Sequence, residues 1–90
     1  MGKEKIIKET KYLRFVLVEK KLKTNKYNVV QRKMDEILGT IEWYNYWRQY
    51  VFEPDYDRFN CIFNDTCLAE MAEFIKDLNI KHKEKKNQGF

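Results

Sequence analysis

Proline and glycine are scarce in this ninety-residue chain, at one and three residues, while cysteine occurs twice and histidine once. The glycines are dispersed, so no glycine-rich loop that cradles phosphates is present. Cys61, Cys67 and His82 are too few soft ligands for a zinc site within one chain, and neither a metal nor another cofactor is expected. The cysteines, one in an expected strand and one on the following helix, read as ordinary thiols in a reducing compartment, with a bridge as the alternative. No run of about 18 apolar residues is available to span a membrane. The opening MGKEKIIKET lacks the apolar segment of a signal peptide, so a soluble cytoplasmic protein is expected.

Charge is present in quantity but segregated. Residues 1–33 carry eleven Lys/Arg against three Glu, residues 34–79 three against ten, and residues 80–90 four against one, within a net charge of +4. Solvated termini around the rest of the chain account for this simply. The sharper alternative is that the basic N-terminal part meets an anion or an acidic surface, on a partner or on a second copy of the chain.

The pattern predicts one α+β domain over residues 1–80: an antiparallel sheet of four to five strands, then one C-terminal helix packed on one face. Tyr12–Lys20 is β-branched and aromatic, with Tyr12, Val16 and Val18 alternating against Leu13, Phe15 and Leu17, so both faces of this strand are expected to be covered. Arg14 interrupts the first set and needs solvent, an acidic partner or a bound anion. Residues 1–10 read as a frayed arm, although Ile6–Lys8 could extend the first strand. KYNVVQRK (26–33) and ILGTIEWY (37–44) read as further strands, with Gly39 marking a bulge or a close backbone approach. A tight turn at Asn45 and Tyr46 leads into WRQYVFEP (47–54), which Pro54 ends, and CIF (61–63) offers a short fifth pairing. A helix starts at Asn64 or Asp65. Leu68, Met71, Ala72, Ile75 and Leu78, widened by Cys67 and Phe74, form its apolar stripe; Glu70, Glu73 and Asp77 face water. Residues 81–90 read as a disordered basic tail.

The aromatic residues concentrate in IEWYNYWRQYVFEP, residues 41–54, which hold both tryptophans, three tyrosines and a phenylalanine. Strand alternation prevents all of them from facing one side, so one set enters the core and the other meets solvent, a ligand or another subunit. Rings stack on nucleobases, arginine contacts phosphate or a purine edge, and glutamine pairs with a base edge. Trp43, Trp47, Arg48, Gln49 and Tyr50, with Arg14 as a second cation, are therefore the candidate ligand-binding residues. The same residue types also dominate protein interfaces.

Asp55 and Asp57 could hold a cation or act as an acid–base pair, but no partner histidine accompanies them and no catalytic residues are expected. The gathered N-terminal lysines form no recognition helix, so sequence-specific DNA binding is not expected either.

The stretch LGTIEWYNYWRQYVFEP followed by FNDTCLAEMAEFIKDLN resembles a group of small phage and prophage proteins sharing LG-x-I-x-WY-x-x-WRQY-x-F-x-P, then FN-x-x-CL and a helix. The likeness covers Ile37–Asn79, and Glu53 departs from it where a second aromatic is expected after Phe52. The group looks like viral sponge proteins that sequester the cyclic oligonucleotide signals of CBASS-type defences, binding without catalysis and as oligomers. The resemblance implies an immune-evasion protein in the cytoplasm of an infected bacterium. On that reading a cyclic oligonucleotide is the ligand, a homo-oligomer is expected, and Trp43, Trp47 or Tyr50 stack on bases while Arg14 or Arg48 meets phosphate. The competing expectation is an inhibitor or accessory factor that binds a host defence protein through the aromatic hairpin.

Overall fold

The computed structural model of the chain describes residues 5–55 and 63–87, with side chains described through 84. Strands β1 (Lys5–Glu9), β2 (Leu13–Lys20), β3 (Asn25–Gln31), β4 (Glu36–Tyr44) and β5 (Gln49–Pro54) precede helix α1 (Asp65–Asn87). Neighbours in sequence pair antiparallel, giving the order β1-β2-β3-β4-β5. With α1 packed against one face of this five-stranded sheet, the fold is α+β, as the sequence pattern predicts.

The first strand lies where the sequence suggests fraying. Lys5–Glu9 pairs with β2, and Ile6 stands opposite Val16 despite a register shift before Lys8. Thr10 ties the turn that follows: its amide donates to the Leu13 carbonyl at 2.8 Å, and its hydroxyl accepts from the Leu13 amide at 3.1 Å. The β4–β5 hairpin also differs from expectation. Tyr44 pairs with Gln49, so the connection is Asn45–Arg48 and the strand starts two residues after Trp47. Positive φ falls on Arg48, at 54°, rather than on Asn45. A residue in the left-handed region closes such a four-residue loop, and here the Arg48 amide donates to the Tyr44 carbonyl at 2.8 Å. Asp35, at φ 56°, closes the β3–β4 connection in the same position.

Gly39 serves both roles its position suggests. The β3–β4 register shifts between Val29, opposite Gly39, and Val30, opposite Ile37, leaving Leu38 as the extra residue of a bulge directed to the core. A Cβ on Gly39 would overlap the Glu53 carbonyl oxygen and come within 2.8 Å of the Phe52 ring.

The core lies between the sheet and α1. Leu13, Phe15, Tyr27, Val29, Leu38, Ile41 and Tyr50 meet Met71 and Phe74, whose ring stacks on Phe15 at 4.1 Å and meets Tyr27 edge-on at 5.3 Å. Phe74 therefore centres the helix's buried face, and Leu68 and Ala72, expected in the stripe, are exposed. Asn64 caps the helix, its side-chain oxygen accepting from the Cys67 amide at 2.8 Å, and Asp65 complements the positive helix end. Of the expected water-facing acids, Glu70 bonds the Thr10 hydroxyl and Glu73 meets Lys8 at 3.5 Å.

At its other end α1 continues to Asn87, through residues whose sequence reads as a patternless tail. Lys and Glu are good helix formers, and lysines complement the negative helix end. Cys61, Tyr56, Asp57 and Phe59 lie outside the described residues, as does most of the expected CIF strand.

Among the described residues only one sheet face has helix over it. Strand alternation sends Arg14, Val16, Asn28, Val30, Ile37, Thr40, Glu42, Tyr44 and Glu53 to the other side. Sheet neighbours bury Val16 and Val30 there, but Ile6 and Ile37 remain exposed, so the expected cover on the second face of β2 is only partial.

Candidate functional site

Trp43 sits near the end of β4 on the helix side of the sheet, where β5 and the last part of α1 converge. Its indole meets the buried Tyr50 ring edge-on, with centroids 5.5 Å apart, and lies under the His82 imidazole at 4.4 Å with a tilt of 36°. The indole N–H donates to the Asn45 side-chain oxygen at 2.9 Å, which fixes the ring's direction. The result is a half-buried tryptophan held on two sides by rings and on a third by a hydrogen bond.

Two clefts flank this ring, and both are lined by Trp43, Arg48 and His82. The first is edged by cations over a largely apolar lining, completed by Lys21, Leu22, Lys23 and Thr24 of the β2–β3 turn together with Asn45. The second has an apolar floor of Ala72, Ile75 and Ile80, with Gln49, Lys76, Asn79 and Lys83 around it. Arg48 reaches both because its left-handed backbone closes the hairpin at their junction. Asn79 anchors helix to hairpin by accepting the Tyr50 amide at 2.8 Å. An indole beside five cationic side chains, Lys21, Lys23, Arg48, Lys76 and Lys83, can take a flat ring bearing negative charge.

The structure divides the residues singled out by sequence. Trp43 and Arg48 line both clefts, and Gln49, the cross-strand partner of Tyr44, borders only the second. Tyr50 is 5% exposed and belongs to the core: its hydroxyl accepts the Asn25 amide at 3.1 Å, and burial pushes its ionisation upward. No face of Tyr50 is left for a ligand. Trp47 is 66% exposed but lies against Tyr44, at 5.3 Å and nearly perpendicular, with Tyr46 tilted against the Tyr44 ring at 5.5 Å. This trio belongs to the sheet face opposite α1, where alternation places Tyr44.

Arg14 is also on that far face, bonded to Glu9 at 2.8 Å and Asp35 at 3.1 Å. Its hydrogen bond holds the Glu9 carboxylate below the usual range. Of the three outlets expected for Arg14, an acidic partner is the one it uses, and that partner lies within the chain. On the same face the protonated Glu53 carboxyl donates a hydrogen bond to the Glu42 carboxylate, which with burial and the charge of Glu42 pushes the Glu53 carboxyl above the ordinary glutamate value. Among the described residues no group of three or more His, Cys, Asp or Glu side chains is arranged to hold a metal.

Sequence reasoning missed His82, Lys21, Lys23 and Asn79 as parts of the site. His82 was legible in principle, because Ile75, Leu78 and His82 continue the three- and four-residue spacing of the helix stripe. The turn lysines carried no such signal; only folding of the β2–β3 connection beside Trp43 reveals them. No protein-family model matches the chain, and neither curated proteins nor solved structures yield a match. No helix among the described residues is long and apolar enough to cross a membrane.

Proposed function

We infer that this protein binds and sequesters a cyclic oligonucleotide signal without cleaving it, as a phage-encoded protein acting against bacterial defence. The observation that carries this reading is the Trp43 indole flanked by two clefts that share Arg48 and are rimmed by lysines. A nucleobase stacks against Trp43 and His82, Gln49 offers amide groups to a base edge, and phosphates meet Lys21, Lys23 and Arg48. Base–aromatic stacking contributes roughly 1–3 kcal/mol per base, and the cationic rim adds an attraction that salt weakens. The apolar floor beside Ile75 suits the second base of a cyclic molecule better than a free phosphate.

Sequestration requires affinity and stoichiometry, not turnover. Isothermal calorimetry against a panel of cyclic di- and trinucleotides tests it, with recovery of the ligand after heat denaturation and its mass checked. Stoichiometric binding with intact ligand is the expected result. A folded protein that gives no heat across the panel, or that returns a hydrolysed ligand, contradicts the reading.

A further inference from the structure

The three most exposed large apolar side chains among the described residues lie at one end of the molecule: Leu22 is 94% exposed, Tyr46 87% and Trp47 66%. Leu22 tops the β2–β3 turn, whose Lys21 amide donates to the Thr24 carbonyl at 2.9 Å, and Tyr46 and Trp47 occupy the β4–β5 loop. Alternate connections of an antiparallel meander share an end, so both tips project the same way. The last turns of α1 reach this end too, where Asn79 accepts the Tyr50 amide and His82 lies over Trp43. Single apolar side chains scattered over a surface need no explanation, but three of this size on two neighbouring tips do.

The surroundings of the tips are cationic. Lys21 and Lys23 flank Leu22 in the chain, and Arg48 follows Trp47. Leu22 and Arg48 line the same cleft, so the two loops form one surface running around the end of the sheet. Segments 21–24, 45–48 and 80–84, which meet here, hold five Lys/Arg against one Glu, and Glu42 nearby is engaged by Lys21 at 3.9 Å.

Apolar tips ringed by cations match the layered chemistry of an anionic bilayer, with negative headgroups outside a hydrocarbon interior. Tryptophan and tyrosine settle at the boundary between the layers, leucine favours the hydrocarbon, and long basic side chains keep their charge among the headgroups. A nucleic-acid strand fits less well, because it needs rings laid along a groove, and Leu22 offers no face on which a base stacks. We propose that this end of the protein is a peripheral membrane-binding surface, with Leu22, Tyr46 and Trp47 inserted into an anionic bilayer and Lys21, Lys23 and Arg48 meeting lipid phosphates. The bilayer plane lies across the strand ends, and the contact is reversible. Tyr46 and Trp47 take no part in the nucleotide reading, so the proposal goes beyond it; lipid and nucleotide compete only for the shared cations.

Co-sedimentation with phosphatidylcholine vesicles, with and without about 30% phosphatidylglycerol, tests it on the wild type and on Leu22→Ser and Trp47→Ser. Both positions are exposed and lie in connections, so the substitutions keep the fold, which far-ultraviolet circular dichroism checks. The expected result is binding to the anionic vesicles and little to the neutral ones. Partitioning should fall several-fold as salt rises from about 0.1 to 0.5 M, and at least about threefold with each substitution. A folded wild type that stays in the supernatant at ~1 mM anionic lipid overturns the proposal. So does binding that both substitutions leave unchanged, since charge elsewhere would then hold the protein to the vesicle. Retention on an immobilised single-stranded oligonucleotide in place of vesicles overturns it as well and assigns the same end to nucleic acid. The vesicle assay contains no nucleotide and the calorimetry no lipid, so the failure of one reading is distinguishable from the failure of the other.

Discussion

Trp43 combines two functions in one ring: its edge completes the core against Tyr50 while its remaining surface lines two basic clefts. These functions separate by substitution. Trp43→Phe keeps most of the packing and part of the stacking, whereas Trp43→Ala removes the platform and should weaken nucleotide binding by about 1–3 kcal/mol, read by calorimetry on protein shown to be folded. Gly39 has only a structural function. Gly39→Ala places a methyl against the Glu53 carbonyl and the Phe52 ring, and the loss in a urea titration should be about 1–3 kcal/mol.

Glu53 supplies a pH test. Its folded-state pKa is raised by the Glu42 hydrogen bond, so folding favours the protonated acid. That contribution is present below the unfolded pKa and is lost as pH rises through the folded value. Glu53→Gln should therefore be more stable than wild type at neutral pH, and the advantage should shrink on acidification to about pH 3, as thermal melts at both conditions will read.

At the scale of the element, α1 and the β4–β5 hairpin explain what the sequence could and could not reveal. The strands of the sheet announce themselves through alternation of β-branched and aromatic residues, and Asn64 announces the helix start. Asn64→Ala removes the acceptor for the Cys67 amide and should cost about 1 kcal/mol in denaturant titrations. The helix end was not legible, because residues after Ile80 have little apolar pattern and their helicity rests on lysine and glutamate propensity and on extension from a packed helix. That extension brings His82 over Trp43 and Lys83 into the second cleft. The hairpin departs from the two-residue turn that Asn45 suggests for a local reason. Asn45 has the chemistry of a left-handed residue, but Arg48 occupies that conformation, since the loop has four residues and closes at its last position.

At the scale of the whole molecule, the order of strands turns a sequence-level charge asymmetry into two halves of one sheet. The same topology sorts the aromatic residues: Trp43 and Tyr50 go toward α1, while Tyr44, Tyr46 and Trp47 gather on the opposite side. The sequence showed that the rings must divide between two faces. It could not show that Arg48 and Gln49 would accompany Trp43, because their placement follows from loop closure. Arg14, despite its position in the richest strand of the sequence, ends beside two carboxylates on the far face.

The most direct measurement uses the fact that the chain has two tryptophans. Trp47→Phe leaves Trp43 as the sole indole, and its fluorescence is then followed during titration with cyclic di- and trinucleotides. Saturable quenching that ends at a fixed stoichiometry, and that Arg48→Ala weakens, is the predicted result. Unchanged Trp43 emission across the panel, in protein shown to be folded, contradicts the proposal that this ring receives a nucleobase.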